Sequence, residues 1–418
     1  MKPACAARMA PCMPPAARRT RPARDRAHVV WNHRGSLRGA RRADLAARAP
    51  RPFLSFVSPQ HSRYTKRMDL SIAAILAQDG ITTGAIYALL SLALVLVFSV
   101  TRVIFIPQGE FVAYGALTLA ALQAQKFPAT CWLLFVMGIA CFLLEVGGLI
   151  RHRERRHQLG RTLATLGSRY ILLPLAVFAI TRSFAAQPLP MLAQIALTLA
   201  IVVPMGPFVY RLVYQPIAEG TTLLLLIVSV AVHFAMVGLG LVMFGAEGSR
   251  TNGFSDASLS IGGMTVSVQS ILVVVTALVL IGALYVYFGR TIAGKALRAT
   301  SVNRLGARLV GIGTTEAGRL AFTFAAGLGV LSGILVGPLT TIYYDSGFLI
   351  GLKGFVGAII GGLVSYPLAA AGSLLVGVLE SYSSFWASAY KEVIVFTLII
   401  PVLLWRSFAT PHAEEEEE

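Results

Sequence analysis

Glu110, His233 and Glu380 stand within or at the edge of long apolar runs, where an ionisable side chain costs roughly 3 kcal/mol unless it finds a partner or water. Each admits two chemistries. Glu110 follows Gln108 and Gly109 at the cytoplasmic start of an apolar run. Its carboxylate can satisfy the positive end of a helix dipole, or serve in gating or a subunit contact. His233, in VSVAVHFAMVG, can hydrogen-bond inside a bundle or touch a solute. Glu380, in VLESYSS, can bond a neighbouring helix or line a pathway, and Tyr87, in GAIYALLSLAL, can pack or turn its hydroxyl to a pore. Glu145, about a turn before Arg151, reads as an interfacial charge, as do Lys391 and Glu392 at the opening of the last apolar run. Nothing resembles a catalytic constellation: there is no GxSxG, no HExxH, no Walker phosphate loop and no Rossmann glycine pattern. Cys5, Cys12, Cys131 and Cys141 form no CxxC and no Cys/His cluster. The expectation is transport, with no enzyme activity, no metal and no cofactor bound by this chain.

A second group is basic. GRTIAGKALRATSVNRLGARLVGIGTTEAGRLAF carries Arg290, Lys295, Arg298, Arg304, Arg308 and Arg319 and is too polar for hydrocarbon. Ala296, Ala299, Leu305 and Leu309 recur at three to four residues, which predicts a short amphipathic helix ended by Gly311-Ile312-Gly313. Such a helix, docked outside the bilayer, is a handle that a motor subunit could push. The alternative is a solvated basic loop.

The elements that must position these residues are membrane helices. Of 418 residues, 56% are hydrophobic and only 13% charged, against the roughly 25% charged of a soluble domain. Windows near 20 residues, enough to cross a hydrocarbon core of about 30 Å, fall at 80–100, 103–124, 129–150, 169–187, 191–210, 221–245, 266–288, 319–344, 367–386 and 389–405. A shorter run at 354–365, rich in glycine, suits a half-helix or ordinary close packing, with Ser365-Tyr366-Pro367 as a break. The expected fold is an all-α polytopic transmembrane helix bundle of ten to eleven helices, one of them short or broken.

Orientation follows from the Lys and Arg of short loops. The loops carrying Arg151, Arg153, Arg155, Arg156, Arg161 and Arg169, and Arg290 to Arg319, should both face the cytoplasm, and four spans separate them. The loop 246–265 then lies outside. The net charge of +17 comes mostly from residues 1–67, which hold 16 of the 36 Lys and Arg residues and two of the 19 acids. That arm has no apolar signal segment. It reads as a disordered leader with the working start at Met68, against the alternatives of a transit peptide or a basic arm for nucleic acid or anionic lipid. Residues 68–406 form the membrane domain, with 290–318 as its cytoplasmic loop, and 407–418 an acidic tail with a solvated run Glu414–Glu418. No nucleic-acid partner is expected.

From Gly80 to about Arg406 the chain resembles the smaller of the two paralogous permeases of bacterial branched-chain amino-acid ABC transporters. GITTGAIYALLSLALVLVFSVTRVIFIPQGEFVAYGA resembles its opening helix and glycine–glutamate element, here Gly109 and Glu110. Tyr214-Gln215-Pro216 is similar to its Tyr-x-Pro step. GKALRATSVNRLGARLVGI is similar to its cytoplasmic segment at Arg298, Ala299, Asn303, Ala307, Gly311 and Ile312, and the glycines of 354–377 followed by Glu380 match as well. The resemblance implies that 290–313 couples to ATPase subunits through Lys295, Arg298, Ala299, Asn303, Arg304, Ala307, Gly311 and Ile312. It also implies a translocation pathway near Tyr87, Gln108, Gly109, Glu110, His233 and Glu380. The implied partners are a second permease, two ATP-binding subunits that use the ATP, and a periplasmic solute-binding protein, at a bacterial inner membrane. The chain departs from the family at Phe105 and Gln108, at Val364-Ser365-Tyr366-Pro367-Leu368, at its Trp405-Arg406-Ser407-Phe408 ending, and by about 60 extra residues before Tyr214. Branched-chain amino acids, aromatic carboxylates and small amides all remain open as solutes. The rival is an ion-coupled secondary transporter, which needs an ionisable relay near the midplane; His233 and Glu380 are nearly the only such residues this reading finds in the spans.

Overall fold

The computed structural model describes residues 70–151, 164–185, 187–255, 257–261 and 264–409. The basic arm, Arg153, Arg155, Arg156, Arg161 and the run 414–418 lie outside them. Among the described residues, eight helical stretches are long and apolar enough to cross a membrane. They include α1 (Leu70–Thr101), α3 (Thr130–Arg151), α4 (Ala164–Phe184), α5 (Met191–Ile217), α6 (Thr222–Phe244) and α7 (Val268–Arg290). Two strands, β1 (Ser258–Ile261) and β2 (Met264–Ser267), pair antiparallel between α6 and α7. Two short helices, α8 (Ile292–Val302) and α9 (Arg304–Leu309), follow α7. The other spans are α10 (Thr314–Val336) and the run Tyr366–Trp405.

That last run is not one rod. It comprises α12 (Tyr366–Ala387), a tight turn at Ser388–Tyr390, α13 (Lys391–Thr397) and α14 (Ile399–Ala409). Val376 and Val395 share one buried cluster, although a straight helix would hold them about 28 Å apart. The chain therefore doubles back, and the windows 367–386 and 389–405 are two crossings.

Two elements are shorter than the sequence predicts. The window 103–124 holds a helix only from Gln108: α2 is Gln108–Gln123, and its N-cap is Pro107. Proline has no N–H to give and pushes the residue before it out of the helical region, so 102–107 runs non-helical. The window 319–344 ends early, at Val336, where Gly337-Pro338 stops α10. The chain turns back through 337–345 and forms α11 (Ser346–Ile360), which replaces the expected short run at 354–365. The break falls at Gly361–Ser365, and Pro367 sits in the first turn of α12, as the Ser-Tyr-Pro sequence suggested.

Contacts separate the two ends of the bundle. At one end Arg308 meets Glu219, Arg304 meets the Ala218 carbonyl, Arg319 meets Tyr170 and Arg211 pairs with Glu145. At the other, Ser249 bridges Ile342, Arg250 holds the Pro338 carbonyl and the Asn252 N–H reaches Gln123. The first end collects the loops expected in the cytoplasm, and the second those expected outside. Glu145, read as an interfacial charge, is in fact paired: Arg211 Nε lies 2.6 Å from its carboxylate.

The centre is built from α1, α10, α2, α11 and α12. Gly80 and Gly84 of α1 face Val378, Gly377 and Leu374 of α12, so close that a Cβ at either would meet backbone. Small residues let helices approach in lipid, where no water is expelled to drive them together. By contrast α3, α4, α6 and α7 keep most of their side chains outward, and their outward apolar side chains suit lipid.

Candidate functional site

Three groups of candidate residues emerge, and the first lies midway along the bundle. Gln108 Nε2 donates 2.9 Å to the carbonyl of Ala325, the central residue of α10. Thus α2 begins halfway along the bundle and runs to the end where Gln123 meets Asn252. α11 begins beside it: Gly347 and Gly351 lie against Gly109, and a Cβ on Gly109 would collide with the Gly347 carbonyl oxygen. From there α11 runs the other way, since Gly357 meets Ser373 and Gly361 meets Ala369, both in the first half of α12. Two half-length helices therefore bring their N-termini, the positive ends of their dipoles, together inside the bundle.

Glu110 sits at that junction, in the first turn of α2, and is not near the cytoplasmic end of a full span as the sequence suggested. Its carboxylate is fully buried, and its Oε1 lies 3.0 Å from His233 Nδ1 on α6. The side chain is thus engaged across helices. The His233 ring also stacks on Phe348 of α11, centroids 4.5 Å apart. Tyr114, one turn further along α2, donates 2.7 Å to the Met236 carbonyl. Glu110 Oε2 and Gln108 Oε1 have no protein partner although both are buried, and such orphan atoms mark sites kept for a reason other than stability. Phe105, just before α2, packs into an aromatic group with Phe111, Tyr214 and Phe322. That packing accounts for an aromatic residue at this position.

The absence of a Cβ at Gly109 has a direct consequence. Gly109→Ala should force α2 and α11 apart and abolish uptake while leaving the outer spans inserted. Uptake assays with an expression control check this; normal uptake would show that the two half-helices need not touch.

The second group is a partly buried charge network around Lys353. Lys353 of α11 donates to Glu380 Oε1 at 2.6 Å and to Glu392 Oε1 at 3.0 Å, and the Tyr87 hydroxyl donates to Glu380 Oε2 at 2.7 Å. Tyr87 and Glu380 are therefore bonded to each other between α1 and α12. Glu392, read as an interfacial charge, serves the same lysine from α13. Lys353 was missed in the sequence because the window placed before it ended at 344 and the one after began at 354. With the true boundaries it is a lone lysine in the apolar helix SGFLIGLKGFVGAII, which is the signal that would have found it.

The third group is the basic segment expected in the cytoplasm. It holds two helices rather than one, because the Asn303 side chain accepts from the Gly306 N–H at 2.8 Å and caps α9. Gly311, at φ +83°, ends α9 with the Ile312 N–H bonded to the Ala307 carbonyl, the left-handed stop that glycine favours. The buried face is not the predicted one. Leu297 is inserted among Leu96, Val100, Ala317 and Ala321, and Ala307 is also buried. Leu305 and Leu309, expected to anchor the helix, are 68% and 80% exposed. Lys295, Arg298 and Ala299 are exposed beside them.

Residues 76–403 match the family model described as the branched-chain amino acid transport system permease component. The chain is 31% identical over 229 residues to the high-affinity branched-chain amino acid transport system permease protein BraD of Pseudomonas aeruginosa, covering 52% of this chain and 74% of the relative. It is 28% identical over 332 residues to the corresponding protein LivH of Salmonella typhimurium, covering 78% of this chain and 91% of the relative. No solved structure matches the chain significantly.

Proposed function

This chain belongs to the permease components of branched-chain amino acid transport systems, and we propose that it carries a branched-chain amino acid, or a related small carboxylate or amide, as one half of a heteromeric pathway. It is an inner-membrane permease subunit of an ATP-binding-cassette importer. Its partners in this reading are a second, paralogous permease, two ATP-binding subunits and a periplasmic solute-binding protein. The chemistry of ATP belongs to those subunits.

One observation supports the coupling step above all others. Outside the membrane-crossing helices, α8 and α9 expose Val302, Leu305, Leu309 and Val310, each at 68% or more, next to Lys295 and Arg298. An apolar patch of this kind beyond the lipid needs a protein partner, and a basic rim suits an acidic groove. Leu297 fixes the patch to α1 and α10, so a push on α9 is transmitted to the bundle. Lys295, Arg298, Ala299, Asn303, Arg304, Ala307, Gly311 and Ile312 then act as one unit: some touch the ATPase and the others shape the two helices. The junction of Gln108, Gly109 and Glu110 with His233 is the part of the bundle that responds, because two half-helices meeting end to end can shift past one another without breaking a continuous rod. Tyr87 and Glu380 tie α1 to α12 and brace α11 through Lys353.

Arg298→Glu together with Arg304→Glu should abolish ATP-driven uptake while the permease still inserts and folds. Uptake by membrane vesicles, with ATPase activity measured in parallel, tests this, and unaltered uptake would remove the docking role from this segment. The paired contacts within the spans also bear on the ion-coupled alternative. The ionisable groups at the centre of the bundle are engaged among the described residues: Glu110 with His233, and Lys353 with two glutamates. A proton or sodium relay would have to break those pairs at each turnover.

A further inference from the structure

A cleft of about 230 Å³ opens on the cytoplasmic end of the bundle, between the turn joining α5 to α6 and the start of α10. It is smaller than the ~300–1,000 Å³ of pockets that take drug-sized molecules, so its occupant is a small one. Its charge is unbalanced. Arg308 is satisfied, with Nη1 3.2 Å from Glu219 and Nε donating 3.1 Å to Thr314 Oγ1. Arg304 is not: its Nη1 reaches the Ala218 carbonyl at 3.3 Å, its Nε is shielded from solvent with no acceptor, and it makes no ion pair among the described residues. The cleft wall also includes Thr314 and Thr315, the first residues of the 23-residue helix α10, whose opening N–H groups have no acceptor within the helix. Facing them is Gln215, whose Oε1 is buried without a donor.

We propose that this cleft binds a small carboxylate from the cytoplasm, with the carboxylate on Arg304 and the start of α10. A donor on the adjoining carbon, such as an ammonium, would reach Gln215 Oε1. One uncompensated guanidinium matches a single negative charge. A phosphate dianion brings a second negative charge that Arg304 alone does not balance, beside Glu219. A free amino acid carries both halves of this recognition, acid and amine, on neighbouring atoms. Because Arg304 opens α9, a ligand held there pins the coupling segment to the α5–α6 turn and lowers ATP-driven uptake. That consequence rests on the coupling role proposed above, whereas the binding does not.

The test is a calorimetric titration of the purified assembly, permeases with their ATPases in nanodiscs, using four probes: L-leucine, 4-methyl-2-oxopentanoate, L-leucinamide and inorganic phosphate. Leucine and the oxo acid should bind, and leucinamide should be weaker by about tenfold or more, the effect of losing one charge-assisted contact. Arg304→Gln should weaken both carboxylates to the same degree. Gln215→Ala should weaken leucine but not the oxo acid, and an Arg304→Gln assembly that elutes and melts like the parent excludes a folding defect in the arginine variant. The proposal is overturned if the assembly binds no carboxylate, if Arg304→Gln changes nothing, or if phosphate alone binds. It is also overturned if carboxylates bind only after the ATPases are stripped away, since an acidic side chain of the ATPase would then own the cleft. Binding that holds while ligand fails to slow ATP-driven uptake would sink the coupling consequence alone.

Discussion

Replacing Lys353 with methionine should destabilise the protein by about 3–5 kcal/mol, the cost of stripping one partner from a buried ion pair. Without the ammonium, Glu380 and Glu392 would face each other across α11 with only the Tyr87 hydroxyl to share. Mutual repulsion would open the turn at Ser388–Tyr390 and free α11 from α12. The yield of folded protein on size-exclusion chromatography in mild detergent, with a thermal melt, reads this effect. The triple variant Lys353→Met, Glu380→Gln, Glu392→Gln should recover most of the loss, because a neutral set of similar shape is commonly no worse than a buried ion network. A single variant as stable as the parent would mean that the network is solvated and holds nothing together.

The second large effect belongs to the cytoplasmic patch. Leu305→Glu with Leu309→Glu should prevent co-purification of the ATP-binding subunits and reduce uptake to background. Neither side chain packs on the bundle, so the variant permease should remain folded. Leu297→Glu provides the contrast. It would put a carboxylate among Leu96, Val100 and Ala321 and should destabilise the permease itself. If the double variant retained its ATPases, the exposed leucines would need another occupant.

Much of this architecture is legible in the residues. Apolar windows gave most of the crossings, because that signal comes from the solvent, lipid or water, and needs no knowledge of neighbours. The half-helices were legible only in part: a short element was expected at 354–365 in place of Ser346–Ile360, and α2 read as a full crossing. Pro107 and Gly337-Pro338 interrupt runs whose apolar character continues, and hydropathy reads through such breaks. The apolar face of the cytoplasmic helices was misassigned for a related reason. Leu305 and Leu309 have the spacing of an anchored face, but spacing cannot tell whether the bundle or a partner covers it. The pairing of Glu110 with His233, and of Glu380 with Tyr87, joins residues 123 and 293 positions apart; only the folded chain brings them together.

The most direct test of the account places a single cysteine at Leu309, with the native cysteines replaced, and exposes inside-out membrane vesicles to a short cross-linker. The account predicts a cross-link to an ATP-binding subunit whose yield changes when ATP is added. A cysteine that reacts only from the external side of intact cells, or uptake by the purified chain alone in liposomes without ATP, would contradict it.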